Sequence, residues 1–138
     1  MVAGARQEIV DALWEYGIEL GRAFQLVDDI LDLEGDERIG KPRGTDVHEG
    51  KMTLPIIYAL TMLHGQDREH LKDVLTNFGD DRLHELVQLL ETAGSFEYSR
   101  VLVSNHVERA LEHLQALPDS DEKILLSEMA LISEARTN

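Results

Sequence analysis

Apolar residues recur at helical spacing from Arg6 to about Leu33, through Ile9, Leu13, Tyr16, Leu20, Ala23, Val27 and Ile30. Such a pattern describes one long amphipathic helix. Gly17 and Gly21 interrupt it without ending it, each at a cost of about 1 kcal/mol relative to alanine in a helix interior. Their four-residue spacing predicts a place where another backbone approaches closely. Toward its end the helix becomes acidic. Positions four apart share a face, so Asp28 and Asp32 are expected to stack, with Asp29 beside them. Phe24 and Gln25 fall one turn earlier on roughly the same side, while Leu26, Val27, Ile30 and Leu33 point toward a core. Like charges at this spacing repel by about 0.2–0.5 kcal/mol on an exposed helix. A hard divalent cation removes that repulsion. Mg²⁺ takes one or two protein carboxylates, keeps several waters, and completes its shell with substrate phosphates.

Gly35 is placed to end the helix. A polar stretch runs from Gly35 to Thr53, holding four glycines and Pro42. Irregular loops this long are uncommon in compact domains unless they are functional or disordered. This one carries Arg38, Lys41, Arg43 and Lys51, and lysine binds phosphate as a point charge. Carboxylates for metal followed by lysines for phosphate suggest a metal-bridged diphosphate site. Asp46 has three open readings: it reaches a metal through water, pairs with a nearby lysine, or forms an Asx-turn.

The remaining chain reads as helices alone. Leu54 to about His64 is short and mostly apolar, so expected to be largely buried, with Thr53 as its cap and Pro55 near its first positions. Asp67 is placed to cap a helix running through Thr76. Asp80 is placed to cap Asp81–Ala93, whose inner face would be Leu83, Leu86, Val87 and Leu90. Gly94 closes that helix and Ser95 opens one from Phe96 to about Leu117, which Pro118 stops. Asp119 or Ser120 opens the last, Glu122 to about Ala135. No segment alternates like a strand, so the expected class is all-α. The six histidines show no metal-ligand spacing and are expected on the surface or in loops; His48 stands out because it lies in the charged loop. With no cysteine, disulfides and thiolate metal sites are excluded. An excess of 27 Asp and Glu over 13 Lys and Arg argues against a nucleic-acid or anionic-membrane binder. No apolar run approaches membrane-spanning length and no secretory signal is visible, so a cytoplasmic protein without an integral membrane segment is the default expectation.

The run AFQLVDDILD, then GKPRGTD, then EGKMTLPIIYAL, resembles the second aspartate-rich region of the trans-isoprenyl diphosphate synthases, the polyprenyl synthetase family. TAGSFEYSR, NHVERALEHLQALPDS and the helix through ALISEAR are similar to the tail of the same enzymes. The resemblance implies a helical bundle, the C-terminal part of the isoprenoid synthase fold. It also implies a Mg²⁺-dependent prenyltransferase of the geranylgeranyl or farnesyl type. Such an enzyme ionises an allylic prenyl diphosphate and couples it head-to-tail with isopentenyl diphosphate. Carried over by position, Asp28, Asp29 and Asp32 serve metal, with Asp28 the strongest candidate, and Asp46 is a weaker one. Lys41 and Lys51 hold the leaving diphosphate, Gln25 supports by hydrogen bonding, and Phe24 lines the prenyl side. The family's homodimers imply a homo-oligomer. One departure is large: the first aspartate-rich region is absent. Residues 1–138 are therefore expected to be a single all-α unit, the C-terminal half of a synthase domain, incomplete for catalysis without the N-terminal half. The alternatives are a non-catalytic subunit or remnant pairing with another helical chain, and an acidic helical module that binds divalent ions. A terpene cyclase would share the acidic helix, but GKPRGTD and EGKMTLP speak against it.

Overall fold

A computed structural model describes residues 2–35 and 43–137, with side chains from Arg6 onward; Lys41 lies outside them. The described residues form seven α-helices and no strand. They are α1 (Val2–Glu34), α2 (Thr45–His48), α3 (Leu54–Met62), α4 (Gly65–Thr76), α5 (Leu83–Ala93), α6 (Ser95–Leu114) and α7 (Asp121–Ala135), with a 3-10 turn at Asp80–Arg82. The all-α expectation holds. None of the described helices is long and apolar enough to cross a membrane.

Several boundaries have identifiable causes. Gly35 does close α1, its N–H donating to the Leu31 carbonyl at 2.7 Å. The glycine is needed because a Cβ there would meet that same oxygen at 2.3 Å. Gly94 closes α5 in the left-handed conformation, φ 78°. The Ser120 side chain accepts from the Lys123 N–H and caps α7 as expected. Three expectations move. The helix after Leu63 begins at Gly65, which leaves Asp67 in its first turn instead of at its cap. Asp80 opens the 3-10 turn that precedes α5. The charged loop contains α2, a single turn too short to show any periodicity in sequence. Gly17 and Gly21 are exposed, and a Cβ at either would meet nothing within 4 Å, so no backbone of the described chain packs there.

The chain divides into two compact units, Met1–Val27 with Arg100–Asn138, and Asp28–Ser99. In the first, the buried residues include Ala12, Tyr16, Leu20, Val103, Val107, Ala110 and Ala130. Tyr16 donates its hydroxyl to the Leu126 carbonyl at 2.8 Å, and Arg100 donates to the Thr137 carbonyl at 2.9 Å. Burial raises the Tyr16 pKa. Contrary to the surface expectation for histidine, the largely buried His106 donates from Nδ1 to Glu19 Oε2 at 2.6 Å. Glu19 is only 7% exposed. Burial alone would raise its pKa, but the His106 hydrogen bond, with the charges of His106, Arg22 and Arg109, outweighs that and holds it below the usual carboxylate range.

In the second unit α3, α4 and α5 pack on one another. Ile56, Leu71, Val74, Leu86 and Leu90 are fully buried there. The expectation for α3 is only partly met, since Ile57 and Met62 are exposed. Leu83 and Val87 are half-buried, and Leu89 takes a place in the core. Arg82 joins α4 to α5: Nη2 lies 2.9 Å from both Asp73 Oδ2 and Glu85 Oε2, and His70 also binds Glu85. The Arg82 hydrogen bond, followed by that of His70, lowers the Glu85 pKa to about 2.

Two outcomes are expected. His106→Ala leaves the buried Glu19 carboxylate short of its nearest donor and lowers unfolding stability by about 1–3 kcal/mol, read by urea titration. Glu85 is depressed below its unfolded value of about 4.3, so its contribution is complete above that pH and is lost as pH falls toward about 2. Comparing Glu85→Gln with the parent chain across pH, the difference in unfolding midpoint is constant above about pH 5 and vanishes near the folded pKa.

Candidate functional site

The candidate site is built from the last turns of α1 and the loop that returns to them. Helical spacing alone predicts one acidic face, but the carboxylates divide. Asp28 is exposed, Asp29 is 8% exposed and Asp32 only 2%. Ile30 and Leu33 are buried at 1% each. Asp32 is covered because the loop folds back over it. Its backbone carbonyl accepts the Gly44 N–H at 2.7 Å, and its Oδ2 accepts the Asp46 N–H at 3.2 Å.

The returning loop is held at three further points. Arg43 donates from Nε to the Leu33 carbonyl at 3.0 Å, with a second bond from Nη2 to the same oxygen. Its guanidinium therefore satisfies a carbonyl in the last turn of α1, a common use of a basic side chain at that end of a helix. Gly44 turns the chain with φ 78°, and a Cβ there would reach Leu83 Cδ1 at 3.4 Å and the Phe78 ring at 3.5 Å. His48 stands edge-on to Phe78, centroids 4.9 Å apart, and its Nε2 lies 2.6 Å from Asp80 Oδ1. Val47 is buried between these anchors in sequence.

Asp46 and Lys51 sit at the exit of the loop. Lys51 Nζ lies 3.5 Å from Asp46 Oδ1 and 3.1 Å from Glu49 Oε2, and the Lys51 N–H donates to the Asp46 carbonyl at 2.9 Å. Hydrogen bonding to Glu49, then the charges of Glu49 and Asp46, raise the lysine pKa and keep it cationic. The lysine pairing open to Asp46 is present. Phe24 and Gln25 are exposed on α1 in the other unit.

The donor set is all oxygen, which suits Mg²⁺ or Ca²⁺ and not a soft ion. Among the described residues no three His, Asp or Glu side chains are arranged to hold a metal by themselves. Mg²⁺ does not require three, since phosphate oxygens and waters commonly fill most of its shell. The exposed Asp28 carboxylate, one residue from Asp29, fits that demand. Sequence reasoning missed the roles of Arg43 and Phe78. A basic residue and a glycine shortly after a helix end carry a faint signal for Arg43; nothing local signals Phe78.

Comparison with known proteins identifies the family. The model of the polyprenyl synthetase family matches residues 1–92. A short chain isoprenyl diphosphate synthase from Methanothermobacter thermautotrophicus is 42% identical over 132 residues, covering 94% of this chain and 40% of the relative. A geranylgeranyl pyrophosphate synthase from Corynebacterium glutamicum, complexed with calcium and isoprenyl diphosphate, superposes with a TM-score of 0.81 at 33% identity, over 95% of this chain and 41% of that one. The same enzyme complexed with isoprenyl diphosphate and magnesium gives 0.85 at 30% identity, over 94% and 38%. The chain thus spans about two-fifths of the length of the relatives it matches. Two-thirds of its sequence, including the acidic turn, the returning loop and α3, falls within the family model, and it superposes closely on solved synthases: the chain belongs to the polyprenyl synthetase family.

Proposed function

We propose that this chain provides the diphosphate-gripping part of a prenyl diphosphate synthase. In this reading an allylic prenyl diphosphate ionises at its C–O bond, and isopentenyl diphosphate attacks the resulting cation head-to-tail. The observation that carries the reading is the return of the Arg43–Lys51 loop onto the acid-rich turn of α1, through the two hydrogen bonds to Asp32. Loss of diphosphate places negative charge on the leaving oxygens, and preorganised cations and donors aimed there lower the barrier. Asp28 is the first candidate for a Mg²⁺ ligand, with Asp29 beside it and Asp46 acting through water. A bound Mg²⁺ supplies charge neutralisation at the leaving group.

The chain's own residues do the rest. Lys51, kept cationic by Glu49 and Asp46, turns its ammonium to the diphosphate, and Lys41 is assigned the same task by its place in the motif. By motif position alone, Gln25 is assigned a supporting hydrogen bond and Phe24 the prenyl side. The exposed Trp14, Ile124, Leu125, Leu131 and Ile132 give the chain apolar surface for association with further helices, which fits a homo-oligomeric synthase.

Titration calorimetry on the 138-residue chain tests the site. Inorganic diphosphate is expected to bind only with Mg²⁺ present, each strengthening the other. Asp28→Asn abolishes the Mg²⁺-dependent binding, and Lys51→Ala weakens diphosphate binding by about 10–100-fold, the worth of one charge-assisted contact. An absence of diphosphate binding at saturating Mg²⁺ defeats the reading. Because one acid-rich turn is present where synthesis needs both substrates held, binding without prenyl transfer is the expected behaviour of this chain alone.

A further inference from the structure

We infer that Asp32 is a positioning residue, an N-cap supplied to α2 from the end of α1, and not a metal ligand. The inference rests on the proposed diphosphate site and reassigns one of its three acids. The first N–H groups of any α-helix lack an intrahelical partner, and a side-chain oxygen at the cap normally takes one of them. At α2 the cap position is Gly44, which has no side chain, and no side-chain cap bond is made there. Glycine is favoured at that position by its φ of 78°, which L side chains rarely adopt.

Asp32 supplies what Gly44 lacks. Its Oδ2 accepts the Asp46 N–H at 3.2 Å, in the first turn of α2, while its carbonyl accepts the Gly44 N–H at 2.7 Å. One residue thus fixes both sides of Thr45. Through Asp46 the hold extends to Lys51, whose N–H and Nζ both bind Asp46. Burial separates the roles. Asp32 is 2% exposed, whereas Asp28, one turn earlier, is exposed. A hydrated Mg²⁺ that keeps most of its waters needs an accessible carboxylate, and Asp28 meets that condition.

The test compares Asp32→Ala, Asp32→Asn and Asp28→Asn by amide hydrogen exchange and by calorimetry with Mg²⁺ and inorganic diphosphate. Asp32→Ala is expected to speed exchange at the Asp46 amide by about tenfold, the worth of one lost hydrogen bond. Asp32→Asn keeps an acceptor oxygen and restores protection, with Mg²⁺-dependent diphosphate affinity within about threefold of the parent chain. Asp28→Asn leaves Asp46 protected and loses the Mg²⁺-dependent binding. The inference is overturned if Asp32→Asn loses that binding as fully as Asp28→Asn while Asp46 stays protected. It is equally overturned if exchange at Asp46 is unchanged in Asp32→Ala. Should Asp32→Ala fail to fold, the Asp32→Asn arm alone decides. A parent chain that binds no diphosphate removes the proposed function and leaves the exchange arm standing on its own.

Discussion

The organisation of the second unit depends on a buried carboxylate accepting a backbone N–H from a loop that returns to it. An ionised group removed from water is costly unless hydrogen bonds replace its hydration. Asp32 is 2% exposed, and part of that replacement comes from the Asp46 N–H. The exchange works in both directions. The loop also needs partners for amides at the start of α2, where Gly44 offers no side chain. One contact between residues fourteen apart in sequence serves both sides, giving Asp32 Oδ2 a donor and the Asp46 N–H an acceptor. Arg43 extends the same logic to the other polarity, placing its guanidinium on the Leu33 carbonyl as α1 runs out.

The electrostatics follow from how those contacts distribute charge. The chain carries a formal net charge of -14, so anions approach it against an unfavourable field. Two described cations of the loop are already engaged by the protein's own groups: Arg43 by a carbonyl, Lys51 by Glu49 and Asp46. On the proposed reading, a diphosphate displaces acid partners from Lys51 before that ammonium faces it. A divalent cation at Asp28 would reverse the local sign in a chain this acidic. Metal and diphosphate would then depend on each other, because neither finds a complete set of opposite charges alone.

Sequence patterning carried the helices well and the site unevenly. Long periodic runs such as α1 and α6 are legible because their apolar stripes repeat over many turns. The loop stands out in sequence as a candidate place of chemistry, from its glycines and lysines and from its order after the acidic turn. What could not be read was which acid faces water. Helical spacing puts Asp28 and Asp32 on one face with Asp29 beside them, yet Asp28 is exposed while Asp29 and Asp32 are buried, Asp32 beneath the returning loop. Similarly, Gly17 and Gly21 suggested a close backbone contact that α1 does not make with any described part of the chain. His106 looked like a surface histidine because Glu19, its partner, lies 87 residues away. In each case the missing information is long-range, and a local pattern cannot hold it.

The floor under the loop is itself built from exposed, charged contacts, which bears on how the site is kept in register. Gly44 and His48 rest on Phe78 and Asp80, at the corner between α4 and α5. That corner is a 3-10 turn, with few hydrogen bonds of its own. Arg82 at its end reaches back to the Asp73 carbonyl and carboxylate and forward to Glu85. Surface ion pairs taken singly contribute little, but a planar guanidinium shared between two helices fixes an angle as well as a distance. The corner stands beside Phe78, whose ring and Leu83 lie at van der Waals distance from position 44, and the φ of 78° there favours a glycine, which leaves the cap that Asp32 fills. Register at the acidic turn is therefore set from outside α1, by packing that neither the acidic motif nor the lysines encode.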